Sequence, residues 1–399
     1  MDSFNAFDVE DSIIGEALDP YPELAAARRR GSVQRVDGGL GETLAGSAGT
    51  YMVYGHDQAV SALRSADTFS SASYLDVLGD VMGRVVLAMD GKEHRRHRAL
   101  IAQAFRPRAL QRWERELIAP LIDELIDRFV AEGRAELVRQ FTVPFPIAVI
   151  ARMLGLPRRD TGMFLRRSLE LISVSVNWER GVEASQALRA YLKPFIEARR
   201  REPRDDLISE LVIAEEEAER LSDEEILPFL LLLLPAGAET TMRALGNLLV
   251  ALLRHPSQLN AVRDDRQLLP QAIEEALRWE PPLLLLARRA TRDTQLGGVS
   301  IAAGSNLVIS LAAANRDDTR WGHPDRYDLH REAQSHVAFG SGPHLCLGLH
   351  LARLEMRLAV ERLLDRLPDL RVDPDAEPAQ IRGEIFRSPP SLPVIFGTG

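Results

Sequence analysis

The sequence predicts a mainly α protein with a minor β component, on three observations. From Lys92 to Ala218 the chain is nearly all amphipathic helix, with apolar residues at helical spacing such as Leu117, Leu121, Leu125 and Phe129. Ser222 then opens a helical pattern that runs to about Leu253, roughly 50 Å at 1.5 Å per residue. Extended segments are short and lie in the first ninety residues or after Arg278. No repeat or low-complexity linker interrupts the 399 residues, which favours one large domain, 1–399, over tethered units.

In order, Pro22 to Arg30 reads as a helix with Pro at its start, and Ser32 to Val36 and Thr50 to Tyr54 as strands separated by Gly-rich sequence. Asp57 to Ser65 returns to a helical pattern. Glu197 to Leu207 reads as a charged, Pro-containing connector. Ser222-Asp-Glu-Glu is an N-cap followed by acidic residues in the first turn. A helix of the length that follows must cross the centre of a globular domain, and Pro235 and Gly237 should bend or loosen its middle. Leu268 to Arg278 is another helix; Leu283 to Arg288, Val299 to Ile301 and Leu307 to Leu311 are extended. Loop runs from Ala313 to His344, a helix starts directly after Cys346, and Leu392 to Phe396 closes the chain as a strand.

Composition narrows the function. Apolar residues are 45% and charged residues 27%, the balance of a soluble protein with a large core. A net charge of −9 argues against nucleic acid as partner. The acidic N-terminus lacks the pattern of a signal peptide. The longest apolar run, Ile226 to Ala238, is too short to span a bilayer, so no membrane anchor and a cytoplasmic location are expected. One cysteine cannot form an internal disulfide, a Cys-rich zinc site or an iron–sulfur cluster. It is either inert core filler or the reactive centre.

Cys346 sits in Phe339-Gly340-Ser-Gly342-Pro-His344-Leu-Cys346-Leu-Gly348. Clustered glycines let backbone approach something closely. A cysteine at a helix start, with His344 two residues before it, is expected to have a lowered pKa and to act as nucleophile or metal ligand. The longer run, Phe339-Gly-x-Gly-x-His344-x-Cys346-x-Gly348-x-x-Leu351-Ala352-Arg353-x-Glu355, resembles the haem-binding loop of a cytochrome P-450. Distant segments add to the resemblance. Glu275-Ala-Leu-Arg278 is similar to the family's E-x-x-R, and Pro324-Asp-Arg326-Tyr327 to the segment whose Arg completes a buried Glu–Arg–Arg network, with Tyr where Phe is usual. Ala236-Gly237-Ala238-Glu239-Thr240 resembles the oxygen-activating stretch of the central helix.

The resemblance implies the cytochrome P-450 fold, with a long central helix over a buried haem b and no fused reductase. It implies Cys346 as the iron ligand, a haem contact for Ala236, Gly237, Phe339, Gly340 and Gly348, and O2 as co-substrate. His94, Arg98, Arg288 and His344 become candidates to pair with the haem propionates, since buried charges need partners. Arg289 should point away from Arg288 if the segment is extended. Glu239 and Thr240 would guide protons to oxygen. The activity implied is haem-thiolate monooxygenation; a peroxide-driven or non-monooxygenase member, or a haem-binding sensor, are the alternatives.

Residues 91–115 carry eight Lys/Arg against two Asp/Glu, a basic patch suited to an acidic electron donor such as a ferredoxin served by its reductase. The substrate contacts implied are Val85, Val86, Leu87, Leu171, Ile172, Val176, Leu233, Ala236, Leu283, Leu284, Leu285, Ile385 and Phe386, an apolar set that points to a hydrophobic small molecule.

Overall fold

The computed structural model describes residues 17–36, 48–175, 177–216 and 218–398. The N-terminal run read for a leader, most of the Gly-rich sequence after Val36, and Val176 lie outside the described residues. Helices dominate, at 58% of the described residues. The main core lies among the helices Ala119–Ile126, Pro144–Met153, Thr240–Arg254, Leu269–Trp279 and Leu349–Arg366. A five-stranded sheet sits at one side, in the order Val33–Val36, Thr50–Val53, Asn306–Ser310, Leu285–Ala290, Phe69–Ser70. Asn306–Ser310 runs parallel to Thr50–Val53, and its other neighbour pairs are antiparallel, with Leu307 opposite Arg288. A second core fills the space between this sheet and the helix His56–Arg64.

The long central helix begins as expected. Ser222 and Glu225 form a reciprocal capping box, and helix continues through Arg254. Pro235 and Gly237 do not break it. They lie in a π-helical turn, Leu234–Glu239, whose wider winding accommodates the missing proline donor. The helix Asp223–Arg254 is long and apolar enough to cross a membrane by length and composition alone, but 61% of its apolar window is buried inside the protein. Packing in the core accounts for its apolarity.

Two boundaries differ from the sequence reading. The helix Trp178–Arg201 passes through Pro194 and takes in the first five residues of the expected connector, which shrinks to 202–206, around Pro203. Leu188, Leu192 and Ile196 are all buried on one face of it, and that packing outweighs the hydrogen bond Pro194 removes. After the cysteine, helix begins at Leu349 with Gly348 as N-cap, leaving Cys346 in the loop.

Candidate functional site

Cys346 lies where the loop before Leu349–Arg366 turns back on itself. Its backbone N–H donates to the Phe339 carbonyl at 2.9 Å. Gly340 and Gly342 have φ of +71° and +72°, which L side chains rarely adopt. A Cβ on Gly342 would lie 2.7 Å from the Arg64 Cα and the Leu63 carbonyl, so no other residue fits there. Arg353, one turn into the following helix, stacks its guanidinium 4.6 Å from the Phe339 ring centre and pairs bidentately with Glu274 at 2.7 Å. Burial would raise the Glu274 carboxyl, but Arg353 and His336 outweigh it and hold it at about 2.

Behind the loop, Arg278 donates to both oxygens of Glu275 at 2.7 and 2.8 Å, as the i, i+3 spacing requires. It also donates to the carbonyls of Asn315, Pro324 and Arg326. The third member of this network is not Arg326. Arg331 donates to Glu275 Oε1 at 3.0 Å, while the Arg326 side chain is exposed and only its carbonyl takes part. The reason is the turn that closes at Arg326, whose N–H donates to the His323 carbonyl. It leaves Asp328 N–H and Arg331 to face Glu275. Asn315 then accepts from the Val337 N–H at 2.8 Å, which ties the network to the segment entering the cysteine loop.

The expected cations gather on the other side. His94 and Arg98 share a face of the helix Gly91–Ala102. The His94 ring lies 4.0 Å from that of His344, and Arg98 donates to the Leu345 carbonyl. Burial, then His344 and Arg98, push His94 down to about 4, so it is neutral at pH 7. Arg288 is buried on the strand Leu285–Ala290, whereas Arg289 points the other way and pairs with Asp76 at 3.0 Å. Asp90 faces this group: its Oδ1 is 3.5 Å from His344 Nε2. Burial would raise Asp90, but His344, Ser70 and the Ser71 N–H hold it at about 2.

On the central helix, Ala236 is exposed and Thr240 half-buried, in a helix otherwise mostly buried there. The Thr240 hydroxyl donates to the Ala236 carbonyl at 2.7 Å. Gly237 lies in the π-helical turn, where a side chain would approach Ile150. Glu239 turns away from Thr240 and forms a buried ion pair with Arg243 at 2.9 Å.

The helix-start argument for a lowered Cys346 pKa is overturned. Burial pushes the thiol up, and the Gly348 N–H, Arg98 and Arg353 only partly offset it. Among the apolar candidates, Val86, Leu87 and Leu233 are half-buried at the edge of the main core, and Leu283 bridges to Phe386. Val85, Leu171 and Ile172 are buried in the interior. Leu284 is core, packed with Tyr21 and Ala312 beneath the helix Tyr21–Arg30, and Leu285 is half-buried against the same group. The N-terminal helix covers that side of the segment, which removes Leu284 from the pocket. Ile385 is exposed, and Phe386 lies under the Arg243 guanidinium at 5.3 Å.

The family model for cytochrome P450 matches residues 147–395, well over half of the chain. The chain belongs to the cytochrome P450 family. Cytochrome P450 107B1 of Saccharopolyspora erythraea is 39% identical over 86% of this chain and 83% of that protein. A steroid C26-monooxygenase of Mycolicibacterium smegmatis is 39% identical over 84% of this chain and 85% of the relative. The solved structure of cytochrome P450 CYP109Q5 from Chondromyces apiculatus superposes with a TM-score of 0.86 at 34% identity, covering 96% of each chain. This P450 is therefore a haem-thiolate monooxygenase of bacterial type, an oxidoreductase that uses haem b and O2.

The residues present fit that cofactor. Arg288 Nε is buried and makes no hydrogen bond, a donor suited to a carboxylate such as a propionate, and His344 Nε2 already faces one carboxylate, Asp90. The only thiol of the chain stands in a loop that glycine alone can shape. A coordinating metal deprotonates a thiol outright, so a raised thiol pKa is no obstacle to ligation. Sequence reasoning missed three participants. Arg331 and Asp90 carry no local signal. Arg243 does: an Arg four residues after Glu239 on an apolar helix is a pairing pattern.

Proposed function

We propose that this P450 inserts one atom of O2 into a hydrophobic small molecule, taking two electrons from a ferredoxin and its reductase. The observation that carries the reading is the half-buried Thr240, bonded to the carbonyl of the exposed Ala236 on the central helix, in a chain whose one cysteine lies in the P450 loop. Haem b, when bound, supplies the iron at which O2 is reduced. Cys346 is the residue that would hold the iron. His94, Arg98, Arg288 and His344 would hold the propionates, and Phe339, Gly340 and Gly348 would shape the loop around the ring. Thr240 Oγ1 and the Glu239 carboxylate would hold and pass protons.

Val86, Leu87, Leu233 and Phe386 would enclose the substrate, with binding drawn mainly from burial at about 25 cal/mol per Å². The name of the steroid C26-monooxygenase relative supports a hydrophobic, polycyclic substrate class. Residues 1–399 act as one haem domain in the cytoplasm. For the donor, the exposed Lys92, Arg95, Arg106 and Arg108 offer positive charge. Arg96 and Arg112 do not, because Glu219, Glu225 and Asp205 already neutralise them.

The test is Thr240→Ala in the holoenzyme with reconstituted electron partners. Haem content should be unchanged, while NAD(P)H consumption is diverted to hydrogen peroxide. Normal coupling in that variant would refute the assignment. Full product yield from hydrogen peroxide alone would favour the peroxide-driven reading.

A further inference from the structure

The central helix presents Glu239, Arg243 and Asn247 at intervals of four, one stripe along an otherwise apolar and buried surface. All three are at most 2% exposed. The stripe faces the C-terminal turn. Asn247 donates to the Arg387 carbonyl at 3.0 Å, and Arg243 Nη1 donates to Ser388 Oγ at 3.0 Å. Arg243 also donates to Glu239 Oε1 from Nε at 3.3 Å and Nη2 at 2.9 Å, and covers the Phe386 ring. Ser388 is itself fixed, since its N–H donates to the Arg382 carbonyl.

A fully buried arginine is costly to desolvate and is not needed to make a helix. Its charge and its two donors, Nε and Nη2, fix the position of one carboxylate oxygen. We propose that Arg243 is a positioning residue for proton delivery. It keeps the Glu239 carboxylate in place, and it anchors that carboxylate to the C-terminal turn through Ser388. The inference rests on the proton role proposed for Glu239.

The test uses the holoenzyme with two readouts. Infrared difference spectra against Glu239→Gln isolate the Glu239 carboxylate band. Oxidation of guaiacol by hydrogen peroxide reports proton-assisted use of peroxide without any protein partner. At pH 7, Arg243→Gln should shift the Glu239 carboxylate band, because it removes the charged donors Nε and Nη2 from Oε1. It should also slow guaiacol oxidation about tenfold, a fraction of what a general acid–base group contributes. Arg243→Lys should keep the carboxylate band and recover most of the rate. Ser388→Ala should keep the pair but shift the band.

If Arg243→Gln leaves band and rate as in the wild type, the inference fails. It fails too if Arg243→Lys slows guaiacol oxidation as much as Arg243→Gln, or if Ser388→Ala leaves the band unmoved. If Glu239→Gln itself leaves the rate unchanged, the underlying proton role is what fails.

Discussion

Arg331 and Arg326 stand five residues apart in the same loop, and the structure gives them opposite roles. Arg331 is 13% exposed and donates to Glu275 at 3.0 Å. It also donates to the carbonyls of Gly322, His323 and Arg326. Replacing it with leucine removes one of the two charged donors to Glu275 Oε1 and the arginine donors to the Gly322 and His323 carbonyls, while the Arg326 carbonyl keeps Arg278. Removing one member of a buried pair costs about 3–5 kcal/mol, and Arg278 remains to hold Glu275, so about 3 kcal/mol is expected. For 399 residues the unfolding entropy near the midpoint is about 0.8 kcal/mol/K, so Arg331→Leu should lower Tm by about 4 °C. Arg326→Leu removes an exposed side chain and should cost no more than about 0.5 kcal/mol, under about 1 °C. Both are read from thermal melts of the holoenzyme at one scan rate, followed by circular dichroism and by haem absorbance. The haem signal of Arg331→Leu should be lost at or before the helix signal, because the network supports the loop from behind. Equal shifts in the two variants, or a larger shift for Arg326→Leu, would refute the assignment.

The remaining expectations are as direct. Cys346→Ser should abolish the red-shifted Soret band of the reduced carbon monoxide complex, since no second cysteine can replace it. Asp90 has a folded-state pKa held at about 2, below its ordinary 3.8. The stability it contributes is therefore present above pH 4 and lost as pH falls toward 2, and Asp90→Asn should lack that part of the acid limb in a pH series of melts. Charge reversal at Arg95 or Arg106 should slow reduction by an acidic ferredoxin and flatten its dependence on salt in stopped-flow traces. Arg112→Glu should instead destabilise the fold, because Arg112 is paired with Asp205.

What could be read from the sequence follows the range of the interaction involved. The cysteine loop and the Glu275–Arg278 pair are set by residues within a few positions of one another, and spacing alone places them. The alternation of Arg288 and Arg289 follows in the same way from an extended strand. Where the chain must choose between distant partners, local pattern fails. Arg326 matched a motif, but the turn before it decides that Arg331 reaches Glu275. Leu284 looked like pocket lining until the N-terminal helix, more than 250 residues earlier, was found to cover it. The thiol shows a third kind of failure. The helix start and His344 pointed to a low pKa, but the structure leaves Cys346 in the loop before the helix, and burial outweighs the Gly348 N–H, Arg98 and Arg353. The sign of that sum depends on how much water surrounds Sγ, which no residue pattern encodes. The same holds for Glu239: its spacing to Arg243 was visible, but not the serine 149 positions later that makes the pair an anchor rather than a surface contact.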